Sequence, residues 1–395
     1  MKAVAPPALP MRGEAPNRHG AMTLLSRYHD HLAALSANAR RRTLVPRRGI
    51  DFASNDYLGL ARDPRLGRAA RAALDRGVAT GSGGSRLLRG NDPEHEALEA
   101  EAARLFGSQA ALFVASGFAA NAAALATLPQ SEDHVFADSL IHASMHEGLR
   151  LARCGHNLIA HNDADAFADA IARWRAEGGT GTPWIAVESL YSMDGDRAPL
   201  DCLAAIAKRH DAMLLVDEAH AAGVFGDGGR GLAADLAPAD NLIRLVTLGK
   251  AYGAEGALLL LPEVLKDMMV NRARGVIFTT APSPLMAAVA RTAIAMVAAD
   301  AKLRARLFAL ARHASAVLGP LGATITGSQI LPLIIGGDAE TMAAAGAIQA
   351  AGFDVRGIRP PTVPAGTARL RISITCNVGE AEIDSLADAI RKALA

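Results

Sequence analysis

Lys250 stands between Gly249 and Ala251 just past the apolar run Leu242–Leu248, and Asp217 closes a second run, Met213–Val216. An amine held among small neighbours at a strand end can act as nucleophile and proton carrier once burial and nearby cations lower its pKa. A lone lysine in such a turn reads as a surface side chain, and a lone aspartate at a strand end as a helix cap. The pair has a more specific meaning. An amine that forms an imine, with a carboxylate that keeps a ring nitrogen protonated so that the ring can draw off electrons, is what pyridoxal phosphate requires. That cofactor also needs amide groups at a helix N-terminus for its phosphate, and Ser116-Gly117-Phe118 opens a helical stretch. A third polar cluster, Glu188 to Ser192, follows the strand that begins at Trp184. The Gly81–Ser85 stretch lacks the GxGxxG spacing and an upstream strand, so it is weak as a dinucleotide loop.

These clusters need a scaffold that brings strand ends together. Trp184–Glu188, Met213–Val216, Leu242–Leu248 and Gly256–Leu261 are apolar on both faces and separated by helical stretches. This is the pattern of an α/β unit with a largely parallel sheet covered on both sides. In such sheets ligands sit beyond the carboxyl ends of the strands, where the polar clusters fall. Helical spacing marks Glu94–Phe106, stopped by Gly107, and Phe118–Leu128. After about residue 295 the character changes to a smaller α+β unit. Strand-like Ile330–Ile335 precedes a helix over Glu340–Ala351, then a strand over Phe353–Ile358. Along Ala368–Thr375, Leu370, Ile372 and Ile374 face one way and Arg369, Arg371 and Ser373 the other. A closing helix carries Ile383, Leu386, Ile390 and Leu394 on one stripe. The expected division is an N-terminal arm (1–55, with 1–20 a poorly ordered extension), a large unit (56–295) and a small one (296–395).

With 395 residues, half of them apolar, the chain can bury a large core. Its 41 basic and 40 acidic side chains leave a net charge of +1, which points away from nucleic acid and toward a small-molecule ligand. Three scattered cysteines form no CxxC pair, so neither a disulfide framework nor a metal site is expected. A reducing cytoplasm is the simplest compartment. The N-terminal stretch has no apolar signal region, and no apolar run is long enough to span a membrane.

Taken in order, SNDYLGL (54–60), GSGGSR (81–86), SGFAAN (116–121), D-x-x-x-HAS (138–144), SMDGD (192–196), VDEAH (216–220) and TLGKAYG (247–253) resemble the α-oxoamine synthases. These are fold-type I pyridoxal-phosphate enzymes that join an amino acid to an acyl thioester with loss of carbon dioxide. The resemblance runs from about residue 23 to the C-terminus. Within the family, GIRPPTVPAGTARLRISIT (357–375) is similar to the biotin-pathway branch, which condenses L-alanine with a pimeloyl thioester. Glycine-using members match this segment less well. The sequence departs from the family at Ser189, where glycine is usual, and at Ala221-Ala222, where a Gly-Thr pair is usual. Both are expected beside the cofactor.

By motif, the resemblance makes Lys250 the Schiff-base lysine and pairs Asp217 with the ring nitrogen. It stacks His142 on the ring and sets His220 on the phenolic oxygen. Ser192 and Thr247 would support that oxygen and the phosphate, with Glu188 near the lysine. Ser116, Gly117 and Phe118 would give phosphate amides, with Thr280 reaching in from the neighbouring subunit of a homodimer. Arg371 would clamp the amino-acid carboxylate as a bidentate fork, assisted by Asn55, with Arg369 the next choice. Arg359 and Arg40 would meet the far carboxylate of the pimeloyl chain. Two rivals stay open: a nucleotide-dependent oxidoreductase built on the Gly81 loop, and a binding protein without catalysis on the same fold.

Overall fold

The computed structural model describes residues 24–395, so the expected extension over 1–20 lies outside the described residues. The chain divides into two compact units, Met1–Pro46 and Arg47–Ala395. In the first, Ser26–Ala37 is a helix with no buried residue, and Arg40 follows it.

The main sheet of the second unit has seven strands: β2 (Ala110–Val114), β3 (His134–Asp138), β4 (Gly155–Ile159), β5 (Pro183–Glu188), β6 (Met213–Asp217), β7 (Leu242–Thr247) and β8 (Ala257–Leu261). β1 (Ile50–Asp51) lies outside it. The spatial order is β2-β8-β7-β6-β5-β3-β4, with β8 alone running against the other six. Alternate residues of each strand feed opposite layers. Leu259 and Leu261 pack with Leu215, Ile243 and the helix Gly117–Thr127 on one face. Leu258 and Leu260 on the other face join a cluster that extends into the C-terminal third, while Ile185, Val187 and Val216 join a further cluster there. Each fully buried Leu or Ile contributes roughly 1.5–3 kcal/mol, which explains why these strands are apolar throughout.

The order places the carboxyl ends of β7, β6, β5 and β3 side by side. Thr247, Asp217, Glu188 and Asp138 therefore form one polar row along a single sheet edge, with Glu188 and Asp217 directly paired in register. The helix Pro93–Phe106 is capped by the Asp92 carboxylate, which accepts from Glu94 N at 2.9 Å, and ends at Gly107 with φ 68°.

Beyond residue 300, β9 (Ile330–Gly336), β11 (Arg356–Ile358) and β12 (Ala368–Ser373) form an antiparallel sheet in the order β11-β12-β9. The expected single strand over Phe353–Ile358 is two. β10 (Phe353–Asp354) pairs with β1, and the chain switches sheets at buried Val355, whose carbonyl accepts from Gln349 Nε2 at 2.7 Å. Ile383, Leu386 and Ile390 of the helix Glu380–Leu394 are buried as expected. Leu394, at the fraying last turn, is 43% exposed. Among the described residues, no single helix is long and apolar enough to cross a membrane.

Candidate active site

A cavity of about 150 Å³ opens at the carboxyl edge of β5, β6 and β7. Gly117, Phe118, His142, Glu188, Asp217, His220, Thr247 and Lys250 line it, together with Ser144 and Ala219. Helix geometry supplies its upper wall. Ser116 Oγ caps the helix Gly117–Thr127 by accepting from Ala119 N at 3.2 Å, which leaves the first amides of that helix at the cavity. His142 caps the helix Ala143–Leu151, its Nδ1 accepting from Ser144 N at 3.2 Å. The two helices pack closely because Gly148 faces Leu125 and Asn121. A Cβ there would lie 2.8 Å from Leu125 Cβ and 3.0 Å from Asn121 O.

Asp217, buried at the end of β6, is held from two sides. Oδ1 accepts from Ala219 N at 2.8 Å and Oδ2 from Asn121 Nδ2 at 2.7 Å. Asn121 also donates to Ser144 Oγ at 3.0 Å, and that hydroxyl lies 2.8 Å from His142 Nδ1. One network thus fixes both the carboxylate and the imidazole across the cavity.

At the other end, Lys250 Nζ lies 2.6 Å from His220 Nε2, and His220 Nδ1 lies 2.6 Å from the Tyr57 hydroxyl. Tyr57 donates to Asn55 Oδ1 at 3.0 Å, and Arg371 Nη2 donates to the same oxygen at 3.0 Å. With the Tyr57 proton committed to Asn55, its oxygen accepts from His220 Nδ1–H. His220 Nε2 is then the atom that accepts from Lys250. Burial, reinforced by the charges of Lys250 and Arg371, holds the His220 ring well below the usual histidine range, so it stays neutral. Burial likewise lowers His142, and it raises the Tyr57 phenol.

Lys250 is half-buried, and burial pulls its pKa down to about 8, with Arg371 adding to the fall and Asp217 and Glu188 opposing it. Glu188 moves the other way. Burial first, then the neighbouring Asp217 charge, raises its carboxyl well above the usual range. Its Oε2 accepts from Ser192 N at 3.3 Å, while Oε1 is buried with no hydrogen-bond partner.

Arg371, on β12, is buried. Nε donates to Ser192 O at 2.6 Å and Nη1 to Ser373 Oγ at 2.6 Å, which turns Nη2 toward Asn55. Arg369 on the same face is committed to Asp194 and Met193 O. Ser192 enters through its backbone, and Thr247 lines the cavity with Oγ1 3.4 Å from Gly256 O. Arg359 is buried but contacts Met342 and Gly357 O, away from the Lys250 group. Thr280 is exposed, and Arg40 lies in the other compact unit.

The two departures from the family pattern do not face the cavity. Ser189 Oγ turns behind the sheet to Glu218 Oε2 at 2.8 Å, and Ala221 and Ala222 are buried in the apolar core beside Val224 and Phe225. None of the three is among the residues that line the cavity. Sequence reasoning also passed over Tyr57, Asn121, Ser144 and Gln329, whose Nε2 donates to His220 O at 2.8 Å. Three of these lie inside or next to the quoted motifs SNDYLGL, SGFAAN and HAS, and that nearness was the available signal. Gln329 had none.

The arrangement fits pyridoxal phosphate. A cavity of roughly 150 Å³ accepts one aromatic ring. Asp217 stands across that space from Lys250, helix amides border it, and the unpartnered Glu188 Oε1 faces a polar group still to come. The residues 47–390 match the family model described as aminotransferase class I and II. The chain is 41% identical over 379 residues to the 8-amino-7-oxononanoate synthase of Anaeromyxobacter dehalogenans, covering 92% of this chain and 94% of that protein. Among solved structures it is similar to a serine palmitoyltransferase of S. paucimobilis with a bound PLP–myriocin aldimine, at TM-score 0.86 and 26% identity over 95% of this chain and 98% of that one. It is also similar to the 8-amino-7-oxononanoate synthase of Francisella tularensis, at TM-score 0.73 and 27% identity over 88% and 98%.

Proposed function

The chain belongs to the aminotransferase class I and II family and, within it, to the α-oxoamine synthases, and on that premise we propose that it condenses L-alanine with a pimeloyl thioester. The products are 8-amino-7-oxononanoate, carbon dioxide and the free thiol carrier. Pyridoxal phosphate supplies the electron sink that makes the amino-acid Cα–H bond acidic and later accepts the electrons released with carbon dioxide.

The protein's own groups do the rest. Arg371 binds the alanine carboxylate, its guanidinium aimed by Ser192 O and Ser373 Oγ, with Asn55 beside it. The neutral Lys250 Nζ takes the Cα proton and returns one after carbon dioxide leaves, since a pKa near 8 suits proton traffic in both directions. Neutral His220 fixes where that amine rests between transfers. Asp217, oriented by Asn121 and Ala219, would hold a proton on the ring nitrogen. His142 would cover the bound ring and exclude water there, and Gly117 and Phe118 would offer amides to the phosphate. Arg359 meets the distal carboxylate of the acyl chain. The enzyme works as a cytoplasmic homodimer, with Thr280 serving the neighbouring site. Exposed Leu87, Leu88 and Phe278 support an apolar interface, and three free cysteines suit a reducing compartment.

One observation carries this reading: the unbroken chain Lys250–His220–Tyr57–Asn55–Arg371, which joins a proton-carrying amine to a carboxylate-binding fork. To test it, holoenzyme is given L-alanine and pimeloyl-CoA, with product followed by mass spectrometry and thiol release by a chromogenic disulfide. Glycine, serine and shorter or longer acyl thioesters run alongside. Preference for alanine with pimeloyl-CoA is expected. Faster turnover of another pair would keep the reaction class and overturn the substrate assignment.

A further inference from the structure

Outside the cavity, one partly buried group of titratable side chains takes no part in the chemistry above. His161 follows β4 and lies between two carboxylates, with Nδ1 2.9 Å from Asp138 Oδ1 and Nε2 2.8 Å from Asp196 Oδ2. Asn162 repeats the bridge. Its backbone N–H donates to Asp138 Oδ2 at 2.8 Å and its side-chain Nδ2 to Asp196 Oδ2 at 2.7 Å. A left-handed φ of 57°, which asparagine tolerates better than most residues, lets one residue address both carboxylates. The Tyr191 ring meets the His161 ring edge-on at 4.4 Å between centroids. Burial works against a charge on His161, yet the two carboxylates push its pKa up to about 10.

Asp138 belongs to the sheet edge, whereas Asp196 belongs to the loop 191–196 that carries the SMDGD motif. That loop is also gripped from the C-terminal sheet. Arg371 donates to Ser192 O, Arg369 pairs with Asp194, and Ser328 Oγ donates to Gly195 O at 2.9 Å. Gly195, at φ 71°, sits so close to the Ile330 carbonyl that a side chain would collide with it. The loop is therefore pinned to the large sheet through His161 and Asn162, and Arg371 takes its aim from the loop.

We propose that His161 is a positioning residue for amino-acid binding: by tying Asp196 to Asp138 it fixes the loop 191–196, and through Ser192 O it fixes the guanidinium of Arg371. Its charge touches no reacting atom. The inference rests on the reading of Arg371 as the carboxylate clamp.

The test compares His161→Gln, Asp196→Asn and the double variant as holoenzymes, with Arg371→Lys as reference. The Kd for L-alanine is read from the change in cofactor absorbance, KM and kcat from thiol release, and cofactor content and Tm are recorded for each. His161→Gln should raise Kd and KM for alanine roughly tenfold, by more than kcat falls, because small displacements of an aiming group are costly. Asp196→Asn, at a partly exposed position that tolerates change, should do the same to a smaller degree. The double variant should add little, as expected of two residues in one link. A lower Tm with Kd and KM unchanged in both single variants would overturn the proposal. Should Arg371→Lys leave alanine affinity intact, the clamp reading itself fails, whatever His161 does.

Discussion

The pKa of Lys250 gives a consequence that can be worked through before any turnover is measured. An amine at about 8 is neutral in roughly one molecule in ten at pH 7, against about one in three thousand at the ordinary 10.5, a ratio of about three hundred. Only the neutral amine attacks an aldehyde. Capture of pyridoxal phosphate by the cofactor-free protein should therefore speed up about tenfold per pH unit below 8 and level off above it. Stopped-flow absorbance measures this directly, and dividing by the rate constant per neutral amine obtained with free butylamine removes the reagent's own ionisation. The sign of each neighbour is also set. Asp217 and Glu188 favour the protonated amine, so Asp217→Asn should move the midpoint down, while Arg371 favours the neutral amine, so Arg371→Gln should move it up. A midpoint near 10.5, or a rate indifferent to pH, would refute the claim that burial primes Lys250.

Two substitutions probe the walls of the site. Gly148→Ala would press a methyl against Leu125 and the Asn121 carbonyl, so it should cost about 1–3 kcal/mol in denaturant unfolding. It should also weaken cofactor retention in equilibrium dialysis, because Asn121 holds Asp217; unchanged stability would mean the helices part freely. Tyr57→Phe leaves His220 Nδ1 and Asn55 without their hydroxyl partner, and a destabilisation of about 1–3 kcal/mol is expected. The same variant should show a changed His220 tautomer by 15N NMR, and an unaltered spectrum would contradict the assigned proton positions.

Much of the scaffold was legible because burial on both faces forces uniformly apolar strands. Pro183–Glu188, Met213–Asp217 and Leu242–Thr247 are each buried along their whole length apart from the first residue of β6, and each ends at a polar residue of the site. Gly107 and Ser116 mark helix ends by local chemistry that needs no tertiary partner. What stayed hidden depends on contacts distant in sequence. Val355 divides an apparent strand only because β1 and β12 compete for its two ends. Tyr57 and His220 are 163 residues apart, so nothing near either announces their 2.6 Å contact. The family pattern sets Ser189 beside the cofactor, but its hydroxyl is held by Glu218, 29 residues away.

The most direct measurement on the central claim is borohydride reduction of the holoenzyme followed by peptide mapping. The account predicts one modified peptide, with a reduced pyridoxyl group on Lys250, and loss of that label when L-alanine is added before reduction. A label on Lys208, Lys266 or any other lysine, or none at all after loading with pyridoxal phosphate, would contradict it.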